Sequence, residues 1–169
     1  MRFLTREEGV AWLAAAGLPP LEESRSDCAY VLAAQCSIPN DAGRKTALAR
    51  MLIAPIADSE GRGMLWITAH GVWPSSENIE LFYALRRAFG EGRRLPDSPC
   101  HVFDRTAAIA AECILDVTLY FAWDATLYLP NAASMIKFSH DEILEIYSRT
   151  PFECAALVEG LKQFGLREV

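Results

Sequence analysis

The chain has 169 residues, of which 51% are hydrophobic and 22% are charged, and this balance is typical of a folded domain rather than a disordered segment. A domain of this length buries roughly 70% of the surface that its extended chain exposes, so its core needs no metal ion or disulfide to be stable. The formal net charge of −6 argues against nucleic-acid binding, because phosphate recognition needs clustered cations. We therefore expect one globular domain over residues 1–169.

The cysteines, the histidines and the basic residues give no sign of a cofactor. The five cysteines are spread along the chain without a C-x-x-C pair, and the three histidines are isolated, so we expect no metal site, no disulfide framework and no cofactor. The densest basic group, Arg86, Arg87, Arg93 and Arg94, falls at the end of a predicted helix, where cations complement the macrodipole. No signal peptide and no apolar run of about 18 residues is present. We expect a cytoplasmic protein that does not bind membranes.

The first half of the chain predicts alternating helices and strands. The pattern Thr5-Arg6-Glu7-Glu8 is a capping box and predicts a helix over residues 5–16. Residues 28–39 predict a strand, and Asn40 or Asp41 then caps a second helix that Pro55 ends or kinks.

The next two elements continue this alternation. Residues 64–69, M-L-W-I-T-A, predict a buried strand, and Ser75 or Ser76 caps the helix that follows. The order strand, helix, strand, helix predicts a right-handed crossover between parallel strands.

The second half of the chain predicts a buried helix followed by antiparallel strands. The run after Asp104 is apolar on nearly all sides, which is typical of a central helix. Residues 125–130 and 135–138 then resemble the two arms of a hairpin. Residues 150–153, T-P-F-E, combine a capping threonine, a proline at the first helical position and a glutamate at the third, which predicts a last helix ending at Gly165.

The stretch F-S-H-D-E, residues 138–142, allows two interpretations. Ser139 and Glu142 fit the S-x-x-E capping pattern, so a helix could begin there. However, Pro151 disfavours helical backbone at Thr150, and residues 143–148 are rich in β-branched and aromatic side chains. We therefore predict a turn at residues 139–142 and a strand at residues 143–148.

Together these elements predict an α/β protein, with α+β as the alternative. The expected architecture is a single-layer mixed sheet of about five strands, packed by about five helices. A parallel crossover is expected near the N-terminal half and an antiparallel hairpin near residues 124–148.

The strongest candidate for catalysis is the pair of Asp124 and His140. If the hairpin arms pair across their loop, these residues lie nearly opposite each other. A carboxylate beside an imidazole forms a general-base unit, because it fixes the tautomer and stabilises the charged ring. The alternative is that residues 139–142 only fill a turn. Cys100 and His101 are adjacent on an extended segment and face opposite sides, so we expect a structural role for them.

The stretch H-G-V-W-P-S-S-E-N, residues 70–78, is the best candidate for a ligand pocket. It joins a strand to the start of a helix, where free backbone N–H groups attract anions. Trp73 would form a flat wall, His70 would supply a titrating group, and Ser75 or Ser76 would supply a hydroxyl. The alternative is an ordinary loop whose serines only cap the helix.

The sequence favours binding over catalysis. Because no catalytic spacing, cofactor loop or metal set is present, the leading hypothesis is an acidic protein that binds another protein, with a basic partner favoured by charge, in an inhibitor, immunity or accessory role. The alternative is a small hydrolase or transferase with a pocket lined by His70, Trp73, Asp124 and His140. We recognise no known family in these residues, and the oligomeric state is left open.

Overall fold

A computed structural model describes residues 1–19, 30–58, 60–74, 77–130, 134–150, 152 and 154–165. Its central feature is a seven-stranded sheet in the order β1-β4-β3-β5-β6-β7-β2, in which all neighbouring strands are antiparallel. The strands are β1 (Arg2–Leu4), β2 (Val31–Ser37), β3 (Arg62–Ala69), β4 (Cys100–Asp104), β5 (Asp124–Leu129), β6 (Ser134–Phe138) and β7 (Ile143–Ser148). The helices are α1 (Arg6–Ala15), α2 (Ala42–Ala57), α3 (Ile79–Ala88), α4 (Ala108–Tyr120) and α5 (Ala155–Leu161).

The prediction of a mixed helix and strand fold is confirmed, but the predicted sheet is wrong in two respects. The sheet has seven strands rather than five, and the expected parallel crossover is absent among the described strands. The physical reason is that β2 and β3, which flank α2, are not neighbours. β2 lies at one edge beside β7, whereas β3 lies between β4 and β5. The prediction missed β1, which has only three residues, and β4, which was predicted only as an extended segment.

Capping patterns in the sequence correctly predicted where some helices begin but not where others do. The capping box at Thr5 is confirmed, since Thr5 Oγ1 accepts a hydrogen bond from the Glu8 N–H at 3.3 Å and Glu8 Oε2 accepts one from the Thr5 N–H at 2.8 Å. Asp41 caps α2 by accepting the Arg44 N–H at 2.8 Å. Pro55 does not end α2, which continues to Ala57.

Two other predicted helix starts are displaced. Helix α3 is capped by Asn78, whose side chain accepts the Leu81 N–H at 3.0 Å, whereas Ser75 and Ser76 lie outside the described residues. Helix α5 begins at Ala155 and not at the pattern that starts with Thr150. Residues 151 and 153 of that pattern lie outside the described residues. Gly165, with φ of +87°, follows the final helical turn as predicted.

The sheet separates two hydrophobic clusters. Strand side chains alternate between faces, so Leu65 and Ile67 of β3 join one cluster while Met64 and Trp66 join the other. Helices α2, α3, α4 and α5 pack on the first face, and α1 packs on the second through Leu13. Helix α4 is largely buried, as its apolar sequence predicts. None of the described helices is long and apolar enough to cross a membrane.

Residues 139–142 form a turn between β6 and β7, so the predicted turn and the strand over residues 143–148 are confirmed. The Glu142 N–H donates to Ser139 O at 3.0 Å, and the Ser139 N–H donates to Ile143 O at 2.9 Å. Glu142 has φ of +58°, in the left-handed region that favours glycine. Its carboxylate receives a hydrogen bond from Lys45, a buried ammonium group on α2, at 3.3 Å.

Candidate functional site

Three candidate residues from separate parts of the sequence lie at the same end of the sheet. Ala69 at the end of β3 lies opposite Asp124 at the start of β5, and the next residue of β5 lies opposite Phe138 at the end of β6. His70 directly follows β3, and His140 comes two residues after β6. The antiparallel register therefore places His70, Asp124 and His140 at neighbouring strand ends.

Asp124 and His140 are in direct contact. Asp124 Oδ1 lies 2.9 Å from His140 Nδ1 and also accepts the His140 backbone N–H at 2.6 Å. This geometry places the ring proton on Nδ1 and leaves Nε2 as the basic nitrogen, 3.8 Å from Asp141 Oδ1. The hydrogen bond to Asp124 and the charge of that carboxylate raise the pKa of His140. Both side chains are partly exposed, that of His140 by 38% and that of Asp124 by 26%.

The Asp124–His140 pair has the geometry of a general base but lacks a paired nucleophile. Ser139 is nearest in sequence, yet its Oγ accepts the Asp141 N–H at 3.0 Å. In the described part of the chain, His140 is hydrogen-bonded to no hydroxyl or thiol group. The two bonds to Asp124 also tie the turn to β5, which is a structural role. The arrangement can accept a proton, whereas nucleophilic catalysis would require a group supplied by the substrate or by water.

His70 and Trp73 contribute less directly to this end of the sheet. The His70 ring packs edge-on against Trp123, with 5.8 Å between ring centroids, and makes no hydrogen bond to a described residue. Trp123 is buried and packs against Phe82, whereas Trp73 is 51% exposed. The backbone N–H of Trp73 donates to the carboxylate of Glu77 at 3.4 Å. Ser75 and Ser76, the other predicted ligand-binding residues, lie outside the described residues.

Cys100 and His101 are buried structural residues on opposite faces of β4. Burial raises the pKa of the Cys100 thiol to about 12, so this thiol is not a nucleophile at neutral pH. Burial and the charge of Arg86 lower the pKa of His101 to about 3. The hydrogen bonds to backbone carbonyl groups act in the opposite direction and raise this pKa, but their effect is smaller. No group of three or more side chains suited to holding a metal ion occurs among the described residues.

The edge strand β2 is a second candidate site, and although residues 28–39 were predicted as a strand, no site was predicted there. The Ile38 N–H donates to Glu142 O at 2.7 Å. Backbone N–H and C=O groups alternate in direction from one residue of a strand to the next. The backbone groups of Cys36 therefore also point toward β7, while those of Gln35 and Ser37 point away from the sheet. Among the described residues, these outward groups have no hydrogen-bond partner. A sequence signal could not have found this edge, because strand order depends on distant pairings.

The composition of β2 includes none of the residue types that usually protect an edge strand. The strand, V-L-A-A-Q-C-S, contains no charged residue and no proline, and Val31 and Leu32 at its start are 56% and 37% exposed. The register shifts between Leu32 and Ala34, so the regular part of the edge is short. Natural sheets normally protect such edges with lysine, proline or covering segments.

The fold and these two sites define the chain as a mixed α/β protein with an open antiparallel sheet. No family model matches the sequence, and neither a curated protein nor a solved structure matches the chain.

Proposed function

We propose that the protein acts by binding another protein, and that an extended segment of this partner adds to the sheet along β2. The observation that carries the proposal is the outward direction of the Gln35 and Ser37 backbone groups, which lack partners among the described residues. Strand addition uses main-chain hydrogen bonds of this kind for affinity. The role fits an inhibitor, immunity or accessory protein better than an enzyme.

The length and chemistry of β2 limit the segment that fits. Regular pairing extends over residues 34–37, so two outward residues offer four hydrogen-bonding groups to about four residues of a partner strand. Exposed Val31 and Leu32 add apolar contact beyond the bulge. The opposite edge strand, β1, has only three residues and offers a shorter template.

The charge of the chain supports a basic partner. A net charge of −6 accelerates association with a positively charged protein, and this acceleration weakens as salt screens the charges. Backbone pairing at β2 depends much less on salt. We therefore expect added salt to slow association while leaving the dissociation rate nearly unchanged.

The variants Ser37→Pro and Ser37→Ala form a matched test. Proline removes the outward N–H and places a ring at the edge, whereas alanine keeps the N–H and loses only the hydroxyl. Neither change removes a hydrogen bond to β7. We expect a partner captured by the wild-type protein to be retained by Ser37→Ala and lost by Ser37→Pro.

Hydrogen exchange of the same amides gives an independent readout. The Gln35 and Ser37 amides should exchange rapidly in the free protein and become protected when the partner is bound. A partner retained by a folded Ser37→Pro variant, or bound without protecting these amides, would refute strand addition. If the captured chain is a second copy of the protein, sedimentation will show a dimer that Ser37→Pro abolishes.

A second candidate function is general acid–base catalysis by a hydrolase or transferase, which is favoured by the 2.9 Å contact between Asp124 and His140. The test is activity on a panel of ester and phosphoester substrates. Asp124→Asn and His140→Gln should each abolish an activity that is retained by Glu60→Gln, an exposed control just before β3 at the end of that strand away from Asp124. Absence of activity in the wild-type protein across the panel would count against this candidate.

A further inference from the structure

A cavity of about 330 Å³ lies between α3 and the loop that follows it. On α3 it is lined by Glu80, Tyr83 and Arg87, which are three and four residues apart and so share one face of the helix. The loop completes the lining with Glu91, Gly92, Arg93 and Arg94. The volume is that of a site for a small molecule.

Two of the lining arginines are available to a ligand. Arg87 and Arg94 are exposed, and their guanidinium groups form no hydrogen bond or ion pair with any residue in the described ranges. The Tyr83 hydroxyl oxygen accepts the Leu95 N–H at 3.2 Å, so its proton remains free for donation into the cavity. The cavity therefore presents two guanidinium groups and one hydroxyl donor.

The third lining arginine, by contrast, is fixed in the wall. Glu91 is almost fully buried, and its carboxylate accepts hydrogen bonds from the Arg93 backbone N–H at 2.7 Å and from the Arg93 guanidinium at 2.6 Å. The same guanidinium donates to Phe3 O at 2.9 Å. Burial alone would raise the pKa of Glu91, but the hydrogen bonds from Arg93 and the charges of Arg93 and Arg86 lower it to about 2.

A buried arginine of α3 holds the loop that follows this helix in place. Arg86 is fully buried and donates to Arg93 O at 3.2 Å and to Ser98 O at 2.7 Å. Its partners are neutral oxygens rather than a carboxylate in direct contact. The lining itself carries three guanidinium groups and two carboxylates, an excess of one positive charge, and the negative charges of Glu8 and Asp97 also act on Arg93.

The macrodipole of α3 does not account for this arrangement. Arg87 lies in the last turn of α3, where a cation complements the helix terminus, but Arg94 lies beyond it. Moreover, the carbonyls of Arg86 and Arg87 are already satisfied by the N–H groups of Glu91 and Gly90. Two unpaired cations around one cavity indicate a site for an anion.

We propose that this cavity binds a small molecule that carries a phosphate monoester and at least one hydroxyl group. Arg87 and Arg94 bind the phosphate oxygens, because the planar guanidinium donates paired hydrogen bonds to such groups. Tyr83 donates a further hydrogen bond. Glu80 would repel an anion placed beside it, so it faces the hydroxyl group of the ligand and accepts a hydrogen bond from it. The site is independent of β2.

The test is calorimetric titration of the full-length chain with glycerol 3-phosphate. Glycerol and sodium chloride at matched ionic strength serve as reference ligands. We expect saturable binding with a Kd on the order of 1 mM or tighter for glycerol 3-phosphate and no saturation with either reference. Equal heats for glycerol 3-phosphate and for sodium chloride up to about 10 mM would overturn the proposal.

Charge-matched variants locate the site. Arg87→Gln and Arg94→Gln should each weaken binding about tenfold, because each removes a charge-assisted hydrogen bond. Arg62→Gln removes the same charge from an exposed position on β3 and should change Kd less than about twofold. All three substitutions are at exposed side chains, so thermal unfolding without ligand should stay unchanged. Equal weakening by Arg62→Gln and by the two cavity variants would refute the site.

Discussion

Acid should destabilise the protein through His101, and the size of the effect follows from its burial. The pKa of His101 is about 3 in the folded chain, against about 6.5 in an unfolded one. Between these values the unfolded chain binds a proton that the folded chain excludes. The contribution of His101 to the free energy of unfolding is therefore complete above pH 6.5 and is lost as the pH falls toward 3.

The magnitude can be calculated from the width of this interval. Each pH unit inside it costs about 1.4 kcal/mol, so the His101 contribution falls by about 2 kcal/mol at pH 5 and by about 3 kcal/mol at pH 4. Glu91 also loses stabilisation in acid, because its folded pKa is about 2. A matched variant is needed to separate the two groups.

His101→Asn is that variant. The histidine Nδ1 lies 3.0 Å from Pro99 O and 3.3 Å from Leu65 O, and the amide of asparagine offers a donor near the same position without a titrating group. The smaller side chain lowers stability by an amount that does not depend on pH. Urea unfolding at pH 7, 5 and 4 should therefore show the wild-type advantage shrinking by about 2 and then about 3 kcal/mol. A wild-type advantage that stays constant or grows in acid would refute this account of His101.

Three further predictions concern the turn and the packing of α1. Asp124→Asn should lower the pKa of His140, which NMR titration of the imidazole would detect; an unchanged pKa would show that the carboxylate does not stabilise the charged ring. Glu142→Gly should be more stable than Glu142→Gln by about 1 kcal/mol in urea unfolding, because both lose the ion pair but only glycine relieves the left-handed backbone. Gly9→Ala should destabilise by about 1–3 kcal/mol despite the better helix propensity of alanine, since its Cβ would lie 2.5 Å from Cys100 Sγ. Cys100→Ala should remove most of that cost, and an equal cost in both backgrounds would contradict the clash.

Patterns among residues close together in the sequence predicted the caps and turns that such residues form. The capping box at Thr5 and the backbone hydrogen bond between Ser139 and Glu142 that closes the turn at residues 139–142 each join residues three apart, and both predicted features are confirmed. The closeness of Asp124 and His140 could be predicted by counting residues along the two arms of a hairpin, because β5 and β6 are consecutive strands that pair with each other. Their catalytic role and that of His70 stay predictions, as does the ligand-binding role of Trp73.

The parts that the sequence could not predict depend on contacts between distant segments. The position of β2 beside β7 brings together strands that are more than 100 residues apart, and no local pattern encodes that choice. The site at β2 was missed for this reason. The cavity beside α3 was missed because the basic group that contains Arg86 was interpreted as complementing a helix macrodipole, whereas tertiary packing buries Arg86 completely.

The burial of Arg86 links the cavity to the acid sensitivity of the core. Its guanidinium holds the loop after α3, and its charge is one cause of the low pKa of His101. Both side chains border Phe82, and each has one buried nitrogen without a partner in the described chain, Nε of Arg86 and Nε2 of His101. Because two positive charges at this place would repel each other in a region of low dielectric, the charged arginine requires a neutral histidine. The interaction that orders the cavity wall is therefore also one that makes protonation of His101 unfavourable.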